Sequence, residues 1–149
     1  MRAKVLDEVG ERTWALVFDA GDEVVSALSR FASLHQLTAA RFTAIGAFSE
    51  ATLGYFDPES KAYEKIPVRE QVEVLSLIGD VALDAGQPKI HAHVVVGKRD
   101  GSAHGGHLIE ARVRPTLEVM LVESPARLAR IFDPDSGLAL IAIDRSQVD

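Results

Sequence analysis

The sequence predicts an α+β fold, a strand-dominated chain with one amphipathic helix laid over a sheet. Three observations lead there. Short runs rich in β-branched and aromatic residues recur along the chain, separated by Asp, Pro, Gly and Ser turn signals. Only the segment from Asp22 to about Leu34 spaces its apolar residues clearly as a helix does. No repeat, low-complexity tract or Pro/Gly/Ser linker divides the 149 residues. Residues 1–149 are therefore expected to form one domain, with its core at about 10–145.

The elements follow in order. Thr13–Phe18 reads as a strand ending at Asp19-Ala20-Gly21. In the helix, Val24, Val25, Leu28, Phe31 and Ala32 share one face, Asp22 is the expected N-cap, and Glu23 suits the positive end of the dipole. His35, at the helix end, reads as a capping or surface residue. Ala40–Gly46 and Ala51–Phe56 read as two strands joined by Ala47–Glu50, with a turn at Asp57–Ser60. Val72–Leu83 is mostly apolar, as a central strand bent or bulged at Gly79 would be. After the Asp84–Pro88 turn come strands at Ile90–Val96, His107–Val113, Leu117–Val122, Leu128–Phe132 and Leu138–Ile143. A tight turn at Asp133–Gly137 joins the last two.

Composition removes several function classes. The hydrophobic fraction of 47% supplies a core, yet no run approaches the roughly 20 apolar residues of a membrane span. Residues Met1–Glu8 lack the apolar run of a signal peptide, so a cytoplasmic location without membrane contact is expected. With no cysteine, a tightly held transition metal must rest on His, Asp and Glu. The net charge of −6 opposes nucleic-acid binding, which draws its affinity from Lys and Arg on phosphates. The basic pairs Lys98-Arg99, Arg112/Arg114 and Arg127/Arg130 form no run. Neither a Gly-Lys-Ser/Thr phosphate loop nor a Gly-x-Gly-x-x-Gly fingerprint occurs, and no Ser-His-Asp arrangement can be argued.

Four of the five histidines fall between His91 and His107. On a strand, His91 and His93 share a face, their Cα atoms roughly 6–7 Å apart, close enough for one ion to bridge the side chains. Gly97-Lys98-Arg99-Asp100-Gly101 has hairpin chemistry, and the chain returns through Gly105-Gly106 to bring His107 back toward the pair. Three imidazoles then converge as ligands for a divalent metal, zinc being the common choice. A bland reading stands beside this one: a histidine-lined sheet face, with the glycines only shaping a turn. His104 is expected in the loop, as a solvated turn residue, a fourth ligand or a proton carrier.

These residues carry a family resemblance. His91-x-His93, Asp100-Gly101, Gly105-Gly106-His107-Leu108 and Thr116-Leu117-Glu118-Val119 resemble the PPC (plants and prokaryotes conserved) domain. Ala44-Ile45-Gly46 leading to Ala51–Phe56, and Val72–Gly79, resemble its earlier segments in the same order. The resemblance implies an α+β fold with a mainly antiparallel sheet, a packed helix, commonly a homotrimer, and a DNA-binding description. Plant members resembling this domain add Arg-Gly-Arg-Pro AT-hooks; here the nearest stretch, Arg112-Val113-Arg114-Pro115, lacks the glycine. A more distant resemblance in fold and motif, to acetolactate decarboxylases, implies a zinc ion on His91, His93 and His107.

Metal chemistry would need acidic or cationic partners, and Glu50, Glu110, Glu118, Arg112 and Arg114 are the candidates. Glu118 is the candidate catalytic residue, because it sits among Leu117, Val119 and Met120, where a buried carboxylate must be paired or face a site. Three roles remain open: a DNA-binding regulator, a metal-dependent lyase or hydrolase acting on a small oxo or hydroxy acid, and a trimeric interaction or scaffold protein.

Overall fold

The computed structural model describes residues 1–7 and 11–143. The outer limits of the expected core, at 10 and 144–145, lie outside them. The described residues form nine strands and one helix: β1 Arg2–Asp7, β2 Thr13–Asp19, α1 Val24–Leu34, β3 Ala39–Asp57, β4 Ala62–Val68, β5 Val72–Asp84, β6 Gln87–Gly97, β7 Ala103–Glu123, β8 Ala129–Asp133 and β9 Leu138–Ile141. All pairings are antiparallel except β5 with β8. The α+β class and the mainly antiparallel sheet are as the sequence predicts.

The long strands close the sheet on itself. β3 pairs with both β5 and β7, and β6 also pairs with both β5 and β7, so these four form a ring of ladders with no free edge along the paired segments. Alternation along each strand then separates an inside from an outside. Phe42, Phe48 and Leu53 of β3, Leu77 and Val81 of β5, Ala92, Val94 and Val96 of β6, and Leu108, Leu117 and Leu121 of β7 are buried in one cluster. Helix α1 lies against β6 and β7 and adds Val24, Ala27, Leu28, Phe31 and Ala32 to that cluster. Each Val, Leu or Phe among them contributes about 1.5–3 kcal/mol when fully buried.

Several expectations are corrected. The helix cap is Glu23, whose carboxylate accepts from the Val25 and Ser26 amides at 3.1 and 2.7 Å. Asp22 instead accepts from the Asp19 amide at 3.0 Å and pairs with the N-terminal amine at 2.8 Å. His35 is the C-cap, in line with the capping role expected of it, with its ring packed on Trp14 and Phe31 at centroid distances of 4.5 and 4.3 Å. The two strands expected between 40 and 56 are one 19-residue strand, because register shifts absorb Ala47–Glu50 without breaking the ladder. Likewise β7 is one strand running through the cis Arg114–Pro115 peptide. The β5 irregularity lies between Val74 and Ser76; Gly79 pairs regularly, and is small because the Phe42 ring lies over it. β1 and β4 are strands that the sequence reading did not identify.

Candidate metal centre

The three histidines meet because of register. β6 alternates buried Ala92 and Val94 with outward His91 and His93. The turn after Gly97, closed by hydrogen bonds from Lys98 N to Ser102 O and from Gly101 N to Lys98 O, sends β7 back alongside β6. His107 then lies directly across from His93. Ring centroids are 5.2 Å apart for His91–His93, 5.2 Å for His91–His107 and 5.5 Å for His93–His107. One nitrogen from each ring can be chosen so that all three lie within 4.8 Å of one another.

The local electrostatics favour neutral rings. Burial, and then the neighbouring His91 and His93, push the His107 pKa down to about 4. His93 is lowered by burial first and by His91 second. Tyr63 of β4 stacks on His107, with centroids 4.5 Å apart and planes at 25°. His107 Nδ1 is buried with no hydrogen-bond partner. A neutral nitrogen without a partner, in a set of three converging imidazoles, fits a divalent ion. His91, His93 and His107 are the residues that could hold it.

Two supporting residues escaped the sequence reading. Asp80 of β5 is the cross-strand partner of His91, with its Oδ2 3.7 Å from His91 Nδ1. Arg130 of β8 forms an ion pair with the other Asp80 oxygen. Burial works to raise the Asp80 pKa, but hydrogen bonding from His91 and Arg130, with the Arg130 charge, holds it below the ordinary carboxylate value. The one acid within the mostly apolar stretch Val74–Leu83 was the available signal. Beside the rings lies a groove of about 190 Å³, walled by Tyr63, Ile90, His91, His107, Arg130 and Leu138–Leu140, with Lys89 also lining it.

The other candidates lie elsewhere. His104 is in β7 opposite Val96, not in the loop, and strand alternation sets it on the face opposite His107. Glu118 is exposed, since alternation turns Leu117 and Val119 inward and the carboxylate out; it lines a separate recess with Ile45, Gly46 and Leu75. Glu50, Glu110 and Arg112 line another recess, of about 280 Å³, together with Glu23 and Arg69. There Arg112 faces Glu50 at 3.5 Å, and Thr52 Oγ1 donates to Glu110 at 2.9 Å. Arg114 is exposed, and its carbonyl accepts from Gln71 Nε2 at 2.7 Å. None of the three histidines lines either recess.

Comparison with known proteins agrees with this architecture. The family model of the Plants and Prokaryotes Conserved (PCC) domain matches residues 7–125. The chain is similar to a metal-containing protein from Archaeoglobus fulgidus, with 37% identity, a TM-score of 0.83, and coverage of 95% of this chain and 99% of that one. It is similar to a plant- and prokaryote-conserved protein from Pyrococcus horikoshii, with 32% identity, a TM-score of 0.83, and coverage of 92% and 97%. A candidate DNA-binding protein from Bacteroides thetaiotaomicron has 29% identity, a TM-score of 0.86, and coverage of 96% and 99%. Among curated proteins, the bifunctional protein GlmU of Synechococcus sp. (strain JA-3-3Ab) is 30% identical over 137 residues, 90% of this chain. The chain spans only 21% of that relative's length.

Proposed function

The chain belongs to the Plants and Prokaryotes Conserved domain family, and from that premise we propose that it is a metal protein whose ion, zinc, is held by His91, His93 and His107. The observation that carries this reading is the convergence of three nitrogens within 4.8 Å, one ring having a buried Nδ1 without a partner. The similar Archaeoglobus fulgidus structure, described as metal-containing, adds support. A divalent ion held by these three residues would supply Lewis-acid chemistry there. The chain's own residues shape what reaches it. Tyr63, Ile90 and Leu138–Leu140 form largely apolar walls against the rings, while Lys89 and Arg130 bring positive charge to the same groove. That combination suits a small oxo or hydroxy acid, so lyase or hydrolase chemistry on such a substrate is the activity we propose.

Elemental analysis of the purified chain is expected to give one zinc per chain, lost in His91→Ala, His93→Ala and His107→Ala. Stoichiometric metal surviving His91→Ala and His107→Ala would overturn the ligand assignment. Turnover of short 2-oxo or 2-hydroxy acids should vanish on chelation and return with zinc.

A second reading concerns assembly. Ile45, Leu75, Ile78 and Met120 are exposed on the sheet at 63, 55, 56 and 45%. Through Ile78↔His93, Thr43↔Ile78 and Thr43↔Met120, this apolar surface continues from the histidines. A homotrimer that covers it is proposed, and light scattering should return three times the 16.1 kDa chain mass. We read residues 1–149 as one domain within it. DNA binding, the description of similar structures, is opposed by the charge of −6; a salt-dependent shift of duplex DNA would revive it.

A further inference from the structure

We propose that Arg130 and Asp80 are positioning residues for His91, acting as a relay from the C-terminal hairpin to the metal centre. This inference rests on the metal reading above. Arg130 lies beyond residue 125, where the family match ends. The parallel pairing of β8 with β5, Leu83↔Ala129 and Asp84↔Arg130, sets Arg130 beside the end of β5, within reach of Asp80 on the same strand. That side chain is only 7% exposed. A guanidinium so buried must be paired, and its partners fix it: Nη1 donates to the Ala139 carbonyl of β9 at 3.2 Å, and Nη2 pairs with Asp80 Oδ1.

The consequence reaches His91 through the carboxylate. With Oδ1 held by Arg130, Oδ2 faces His91 Nδ1 at 3.7 Å. Arg130 Nη2 is itself 3.5 Å from that nitrogen and, being a donor only, cannot satisfy an Nδ1–H. Asp80 Oδ2, at an ion-pair distance longer than a hydrogen bond, is the acceptor nearest an Nδ1–H, whereas an unprotonated Nδ1 would accept from Arg130. The Nδ1–H tautomer leaves the Nε2 lone pair free for the ion, as outer carboxylates do for metal-bound histidines. No comparable carboxylate contact is found for His93 or His107 among the described residues, so His91 is the ligand whose ring the protein orients by charge.

The test combines a metal-free and a metal-bound readout. In the metal-free chain, long-range nitrogen–proton NMR is expected to find His91 as the Nδ1–H tautomer. Asp80→Ala and Arg130→Met should each shift it toward a mixture. Titration with Co(II) should show dissociation constants raised about 10–100-fold in the same variants, with an altered visible spectrum. The double variant Asp80→Ala/Arg130→Met removes both charges together and guards against misfolding from an unpaired buried ion. Arg2→Gln, which breaks the exposed 3.2 Å pair between β1 and Asp19 of β2, should change neither readout. Unaltered tautomer and Co(II) affinity in Asp80→Ala or the double variant would overturn the relay while leaving the metal site standing. Failure of the wild-type chain to bind Co(II) would remove the metal reading, and a wild-type His91 protonated at Nε2 would overturn the relay by itself.

Discussion

Gly105 and Gly106 are adjacent and chemically identical, yet the structure predicts opposite responses to a methyl group. A Cβ on Gly106 would lie 2.7 Å from the Gly54 carbonyl oxygen, backbone atoms that cannot swing aside. On Gly105 the nearest approach is 3.4 Å, an ordinary contact. Replacing glycine by alanine stabilises by about 0.4–1 kcal/mol through the unfolded chain where the site accepts it. Overpacking costs about 1–3 kcal/mol. Gly106→Ala should therefore lose about 1–2 kcal/mol net, and Gly105→Ala should be neutral or gain slightly. For a chain of this size the first corresponds to a melting temperature lower by about 2–8 °C. Because Gly54 pairs with His107, forcing β3 from β7 there should also weaken metal binding in Gly106→Ala alone. Thermal melts of the two variants with and without EDTA, plus a zinc competition titration, are the measurement. Equal melting temperatures would refute the close-approach argument.

Other outcomes are as specific. The metal-free chain should lose stability as pH falls from 6.5 toward 4: above 6.5 His107 is neutral folded and unfolded, whereas below it the unfolded chain takes up a proton that the folded ring resists. The interval from 6.5 to about 4 bounds that loss at ~3 kcal/mol, and solvent around the half-exposed ring reduces it to about 1 kcal/mol. Urea titrations at pH 7 and pH 5 should show a smaller pH effect in His107→Gln. Glu23→Ala removes the helix cap together with a 3.3 Å contact to the Ala111 amide, and should cost about 1–2 kcal/mol in the same assay. Glu123→Gln breaks a part-buried pair in which Arg12 donates through two nitrogens at 2.7 and 2.8 Å; a loss of about 1–2 kcal/mol is expected, with the signal read at Trp14, over which Arg12 lies.

What the sequence made legible was local. Strand alternation at His91 and His93, and a hairpin closed by Gly101, carry the histidine cluster, so one short segment was enough to find it. Continuity across a bulge is not local: Ala47–Glu50 reads as a connection until β7 is known to lie beside it. β4 was missed because Pro67 and the charged Glu64 and Lys65 disguise a strand, and with it went Tyr63. The apolar neighbours of Glu118 say nothing of the face on which a strand residue lies, and its side chain is exposed. Asp80 and Arg130 are separated by 50 positions, and only the parallel pairing of β5 with β8 makes them partners.

The ring of ladders around β6 has a consequence for assembly in time. All three histidines lie on a single hairpin, whose turn closes with little loss of chain entropy. Asp80 comes from another strand, and Arg130 from the β8–β9 hairpin, more distant still along the chain. If the three histidines hold an ion as proposed, the hairpin would offer them as loose ligands before the remaining ladders form, and the hold would tighten once Asp80 and Arg130 are in place. Since the packed interior is on the other side of β6, an ion taken up this way is not what drives collapse. The metal-free chain is therefore expected to fold and to take up the proposed ion afterwards.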